Sequence, residues 1–184
     1  MKKMFLLGAM VCALGMMTAC KSAKTISNSF QYTGEYKNGF AQIEENGKWG
    51  CIDTAGNVII APIYDKLSYF FEELAYFELN GKYGFIDNHG KIVIKAQYDE
   101  AGFFGHGLAP VRKGKLWGYI DKNGEIVIPF KYDYAHSFFG GETAIVEKDG
   151  VFYEIDIYGN IVKVRNDLYR DTNRINEDDI IRCN

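Results

Sequence analysis

The chain repeats itself about every 34 residues, and this constrains its fold more than any local propensity does. Trp49, Tyr83, Trp117 and Phe152 fall in one column of the repeat. Asp53, Asp87, Asp121 and Asp156 form a second, with steps of 34, 34 and 35 residues, and Gly56, Gly90, Gly124 and Gly159 a third. A fixed period of this length marks a repeat architecture. Each unit is too small to bury its apolar face alone, and neighbouring units share the core.

The unit from Leu108 to Glu142 shows what each repeat becomes. Leu108–Val111 is short and apolar, and Lys113-Gly114-Lys115 reads as a turn. Trp117-Gly118-Tyr119-Ile120-Asp121 alternates large and small side chains, as a pleated strand does. Asp121-Lys122-Asn123-Gly124 is turn chemistry, with Asp placed to bond back to the backbone and Gly free to take positive φ. Ile126-Val127-Ile128 is β-branched and favours strand. The 20 glycines interrupt every stretch that would otherwise sustain a helical period, and helix competes only over Phe70–Leu79. Aromatic residues make up 15% of the chain, enough for small units to fill a shared core. The expected fold is therefore all-β: a repeat array of short antiparallel hairpins or three-stranded units, about four repeats of 34 residues, the fourth degenerate.

The N-terminus stands apart from the repeats. Lys2 and Lys3 precede an apolar, uncharged run from Met4 to Met17, which ends in Met17-Thr18-Ala19-Cys20. That run is shorter than the roughly 20 residues needed to span a bilayer, and it reads as a secretory signal. The cysteine after small residues resembles a bacterial lipoprotein signal, with Met17 where Leu is usual. The resemblance implies cleavage before Cys20 and lipidation of Cys20. An ordinary secretory signal with an incidental cysteine, or an uncleaved anchor, is the alternative. The expected organisation is a signal peptide over 1–19, a lipid-anchored polar tether over 20–29, the repeat domain over 30–164 and a polar tail over 165–184.

Cleavage removes Lys2 and Lys3 and no acid, leaving 19 basic against 24 acidic side chains, a formal charge of −5. No basic stripe is present for nucleic acid or for anionic lipid, so membrane attachment falls to the lipid on Cys20. Lys21 is not the Asp that resembles an inner-membrane retention signal, and no acidic cluster follows Cys20. These features point to the cell envelope, on the periplasmic side of an outer membrane.

Gly47-Lys48-Trp49-Gly50, Gly81-Lys82-Tyr83-Gly84 and Lys115-Leu116-Trp117-Gly118 resemble the signature of the WG-repeat (KWG-repeat) proteins. The following Ile-Asp-x-x-Gly and Tyr-Asp segments agree, from Ile52-Asp53 and Tyr64-Asp65 through Ile120-Asp121 and Tyr132-Asp133. The resemblance covers residues 30–164. It implies an all-β fold in exported bacterial proteins with interaction roles.

Several constellations admit a chemical reading and a plainer one. The aspartate column from Asp53 to Asp156 could be a metal ladder, but no second carboxylate recurs at the spacing of a calcium loop, and turn formation is preferred. No metal and no cofactor are expected. Trp49, Tyr83, Trp117 and Phe152 are read as repeat core, because a ligand site need not recur in every unit. His89, His106 and His136 occupy non-equivalent positions, and no nucleophile, zinc or phosphate-loop motif occurs, so no catalytic residue is assigned. Cys51 and Cys183 are permitted to pair in an oxidising compartment. Cys51 shares the column of Phe85 and Tyr119, however, and a small buried thiol is preferred. The recognition face is expected near Tyr64-Asp65, Tyr98-Asp99 and Tyr132-Asp133. The function expected is a lipid-anchored, non-catalytic protein-binding or scaffold module with an envelope protein as partner. The alternative is a cell-wall-glycan binder using Tyr69, Phe103 and Phe139 in an exposed row.

Overall fold

The computed structural model describes residue 30 and residues 32–168. The signal segment, Cys20, the tether and the tail from residue 169, with Cys183, lie outside the described residues. The described residues form four antiparallel four-stranded sheets in sequence order, with no helix among them. Sheet 1 is β1 (Tyr32–Thr33), β2 (Phe40–Glu45), β3 (Lys48–Asp53) and β4 (Val58–Tyr64). Sheet 2 is β5 (Lys66–Leu67), β6 (Leu74–Leu79), β7 (Lys82–Asp87) and β8 (Ile92–Tyr98). Sheet 3 is β9 (Glu100–Ala101), β10 (Leu108–Lys113), β11 (Leu116–Asp121) and β12 (Ile126–Tyr132). Sheet 4 is β13 (Tyr134–Ala135), β14 (Thr143–Lys148), β15 (Val151–Asp156) and β16 (Ile161–Val164). The repeat array expected from the period is present. Each unit gains a fourth strand of two residues, too short to carry an alternation legible in sequence. Phe70–Leu79, where helix competed, supplies β6.

Burial explains the columns. Within each inner sheet both faces are covered, and the cores lie between sheets. Ala75, Phe77 and Ile86 of sheet 2 pack with Cys51, Ile60 and Tyr64 of sheet 1. On the other face, Phe85 and Ile94 pack with Phe104, Ala109, Val111 and Ile120 of sheet 3. Tyr119, Ile128 and Tyr132 repeat the arrangement against Phe138, Ala144, Val146 and Ile155 of sheet 4. Phe85 meets Phe104 at 4.8 Å between ring centroids and Tyr119 meets Phe138 at 5.1 Å, so successive units interlock ring to ring. Each such side chain contributes roughly 1.5–3 kcal/mol by leaving water.

The last sheet breaks this pattern. Cys51, Phe85 and Tyr119 pair across strands with Ile60, Ile94 and Ile128. At the equivalent place in sheet 4, Glu154 pairs with Lys163. Thr143 Oγ1 donates to Glu154 Oε1 at 2.9 Å, and Arg165 Nη1 lies 3.6 Å from Glu154 Oε2. Among the described residues no further sheet covers this face, and polar side chains occupy it. Polar outer faces on end units are a general need of repeat arrays.

The glycine after each signature aromatic has a steric reason. Gly50, Gly84 and Gly118 lie under a register shift in the outer strand. A Cβ on Gly50 would sit 2.5 Å from Ile60 O and 2.7 Å from Pro62 N, too close for any side chain. Sheet 4 carries Tyr153 in this column. There β16 pairs Tyr153 directly with Val164 and makes its only shift later, between Glu154 and Ile155.

Candidate functional site

Antiparallel connectivity gives every sheet two distinct ends. The β2–β3 type hairpins and the Tyr-Asp links to the next sheet share one end, called here the hairpin end. The β1–β2 type corners and the Asp-initiated β3–β4 type turns share the other, the corner end.

The hairpin end holds the residues expected to form the recognition face, and the structure gives them other work. Tyr64, Tyr98 and Tyr132 are 5%, 5% and 4% exposed, so their rings belong to the cores and present no surface. Asp65 accepts from Lys48 Nζ at 2.5 Å and from the Asn80 N–H at 2.8 Å. Asp99 accepts from Lys82 Nζ at 2.5 Å and from the Gly114 N–H at 2.6 Å. Asp133 Oδ2 accepts from the Asp149 N–H at 2.7 Å. Each aspartate thus clamps the hairpin of the following unit. The Lys48 and Lys82 ammonium groups first, and the backbone amides second, hold the Asp65 and Asp99 carboxyls below the usual carboxylate range. The tyrosines of the expected face are thus packed and its aspartates clamp hairpins, which accounts for their constancy from unit to unit.

Of the signature column, Trp117 is buried, while Trp49, Tyr83 and Phe152 are half-buried. Tyr83 accepts a hydrogen bond from Lys66 Nζ at 2.8 Å, and the same ammonium lies 2.8 Å from Glu78 Oε2. Cys51 is a buried free thiol, and burial pushes it up to about 12.

At the corner end the aspartate column makes turns. Asp53 Oδ1 accepts from the N–H groups of Ala55 and Asn57 at 2.9 and 2.8 Å, and Asp53 Oδ2 accepts from Asn57 Nδ2 at 2.9 Å. Asp121 and Asp156 repeat this, with Asn123 and Asn160 taking the second oxygen. The asparagine hydrogen bonds come first among the causes that hold Asp53 and Asp156 below the ordinary range. Among the described residues no group of three or more His, Cys, Asp or Glu is placed to hold a metal ion.

The corners themselves are where the units differ. Lys37-Asn38-Gly39-Phe40, Phe71-Glu72-Glu73-Leu74 and Gly105-His106-Gly107-Leu108 are two-residue β-turns closed by reciprocal hydrogen bonds. Both central residues take positive φ. The corners of sheets 2, 3 and 4 converge through their rings. Phe71 and Phe103 are 4.6 Å apart between centroids, Phe71 and Phe139 5.3 Å, and Phe103 and Phe139 5.6 Å. Tyr76 continues the track at 5.2 Å from Phe103, and Tyr83 lies 5.9 Å beyond it. Phe139 is 52% exposed, and Phe71 and Phe103 are half-buried. At the first corner, Lys37 Nζ sits 4.3 Å over the Tyr69 ring. This patch is asymmetric: the residues equivalent to Phe71 are Lys37, Gly105 and Phe139.

With this geometry in view, a family model described as the WG-containing repeat matches residues 29–49, 49–83, 83–117 and 117–152 in succession. The chain belongs to the WG-repeat family. A comparison with curated protein sequences finds no match. Among solved structures, Kluyveromyces lactis Hsv2 aligns with a TM-score of 0.44 and 7% identity, over 69% of this chain and 44% of that one. A plant lectin with two metal-binding sites from Cicer arietinum aligns with a TM-score of 0.31 and 16% identity, over 74% and 94%. A seed albumin from Lathyrus sativus, LS24, aligns with a TM-score of 0.31 and 13% identity, over 71% and 86%. The chain spans about half the length of the Hsv2 structures it matches.

The sequence signal for the corner patch was variation. Columns that stay constant across units do structural work in every unit. Around the constant aromatic column of Tyr36, Phe70, Phe104 and Phe138, positions 35 and 37–39 and their equivalents change from unit to unit, and the first three corners do so on one backbone.

Proposed function

We propose that this WG-repeat chain is a non-catalytic, lipid-anchored module that binds an envelope protein through its corner end. The single observation that carries the reading is the converging cluster of Phe71, Phe103 and the exposed Phe139, built from corners of three different sheets. Aromatic rings that are held rigidly and left open to water are the usual anchors of protein interfaces. The rings are tilted against one another, with interplanar angles of 54°, 65° and 53°. A glycan binder needs flat, open ring faces in a row. A tilted cluster of rings suits an apolar pocket on a protein, and this supports the polypeptide partner over the glycan.

The non-catalytic reading is supported by the state of the acids. Asp53, Asp65, Asp99 and Asp156 spend their oxygens on asparagines, lysines and backbone amides, which hold their carboxyls below the usual range and suit them to structure rather than proton transfer. Lipidation at Cys20 and placement on the periplasmic side of an outer membrane complete the proposal. Among the described residues no helix is long and apolar enough to cross a membrane.

The test is affinity capture from intact envelope after crosslinking. The Phe103→Ser/Phe139→Ser protein should lose a partner that the wild type retains, with its melting temperature little changed. Loss of the partner in Asp65→Ala/Asp99→Ala/Asp133→Ala, and its retention in the phenylalanine pair, would return the site to the hairpin end. Turnover of a peptide, ester or glycan at enzymatic rates would overturn the non-catalytic reading. A clickable fatty acid should label wild type and not Cys20→Ala.

A further inference from the structure

The corner that carries Phe71 also bounds a cleft of about 330 Å³, lined by Glu72 and Glu73, the Asp87–His89 turn, Val93 and Lys122. Its charges do not balance. Glu72 Oε2 is engaged by the Gly107 N–H at 3.0 Å and by Lys122 Nζ at 3.3 Å, and the same ammonium donates to Glu72 O at 3.1 Å. Lys122 is thereby spent. Glu73 makes no hydrogen bond or ion pair among the described residues. Asp87 Oδ1 accepts from the N–H groups of His89 and Lys91 at 3.0 and 2.8 Å. Asp87 Oδ2 accepts nothing among the described residues, whereas the second oxygen of Asp53, Asp121 and Asp156 is covered by an asparagine. Sheet 2 alone therefore combines an uncovered turn aspartate with a free glutamate.

That glutamate is also out of place. Glu73 sits at φ +72°, where the corners of sheets 1 and 3 use Gly39 and Gly107. Beside the two open carboxylates, the cleft offers apolar surface: Val93 is 39% exposed and Leu74 forms part of the lining. Free anions beside an apolar wall match a long basic side chain, whose stem packs while its head is paired. Phe71 precedes Glu72 in the same tight corner, so the corner that bounds the cleft also carries one ring of the cluster.

We infer that this cleft receives a Lys or Arg side chain of a polypeptide partner, whose neighbouring bulky apolar side chain docks on Phe71, Phe103 and Phe139. The inference rests on the corner end being the recognition face. Charge complementarity between the open carboxylates and a basic head sets the partner's chemistry and register.

The test uses the whole chain and short fluorescein-labelled peptides carrying one Trp and one Arg a few residues apart. Matched peptides replace Arg by citrulline, its neutral isostere, or Trp by Ala. Anisotropy should show the Trp-Arg peptide binding at least about tenfold more tightly than its citrulline partner. Glu73→Gln and Asp87→Asn should each weaken the Arg peptide and leave the citrulline peptide unchanged. Equal binding of the Arg and citrulline peptides, indifference to Glu73→Gln, or no binding by any peptide of the panel overturns the inference. The Phe103→Ser/Phe139→Ser protein separates the two layers. If the pair abolishes binding while Arg and citrulline are equivalent in wild type, the face stands and the basic socket falls. If the pair binds the Arg peptide as tightly as wild type does, the rings take no part in binding and the inference falls.

Discussion

Replacing Gly84 by alanine tests why the family's signature pairs its aromatic residue with glycine. The new Cβ would lie 2.5 Å from Ile94 O, 2.7 Å from Ala96 N and 2.8 Å from Lys95 C. All three atoms are backbone of β8, so no rotamer change relieves the clash, and β8 must lift from β7. That strand carries Ile94 and Tyr98, 3% and 5% exposed, into the core between sheets 2 and 3. Overpacking of this kind costs about 3 kcal/mol, a fall in melting temperature of roughly 6–12 °C for a chain of this size. Gly81→Ala is the control. Gly81 has φ +74° and nothing within 4 Å of a Cβ, so its substitution costs only the left-handed backbone, about 1 kcal/mol and ~2–4 °C. Thermal unfolding of both variants, followed by far-UV circular dichroism and calorimetry, reads the difference. If Gly84→Ala melts together with Gly81→Ala or above it, the steric account of the glycine is wrong.

Other outcomes follow from the same geometry. Glu73→Gly should raise the melting temperature by ~2–4 °C, because it removes a side chain from φ +72°, while lowering affinity for the Arg peptide; a destabilised protein would contradict this. Asp53, Asp65, Asp99 and Asp156 are held below their ordinary carboxyl value in the folded state. Their contribution is complete above about pH 4 and drains as pH falls through the lower native values. The urea midpoint should therefore hold from pH 7 to about pH 5 and drop below about pH 4, and Asp53→Asn/Asp65→Asn should flatten that drop. Cys51, buried and pushed up to about 12, should resist iodoacetamide in the native protein and react once urea unfolds it; rapid native labelling would show the thiol is reachable. Phe85→Ala should cost about 3–5 kcal/mol and broaden no transition, since its ring joins two sheets that melt together.

Much of this fold was legible because a repeat states each structural requirement several times. The Asp column, the turn glycines and the β-branched outer strands could be assigned before any coordinate, and each forms what its chemistry requires. The two-residue strands were not legible, since Lys66–Leu67 or Tyr134–Ala135 holds no period. The rings that pack deepest lie two residues beyond the expected column, although Trp117 of that column is buried as well. Phe85 and Tyr119, which pair with Ile94 and Ile128 beyond the register shift, have 0% exposure, whereas Tyr83 before it is half-buried. The proposed corner face was not singled out in sequence for a related reason. Tyr64-Asp65 and its equivalents drew notice by recurring, and recurrence belongs to residues that every unit needs. Phe71, Glu73 and Phe139 carry no motif; only the contrast with Lys37, Gly39 and Gly105 at their equivalents marks them.

The most direct measurement is site-specific photo-crosslinking in intact envelope, with p-benzoylphenylalanine at position 139 on the corner end or at Lys131, which precedes Tyr132-Asp133 on the hairpin end. The account predicts a discrete crosslinked partner from position 139 and none from position 131. A partner crosslinked from position 131 and absent from position 139 would place recognition at the opposite end and contradict it.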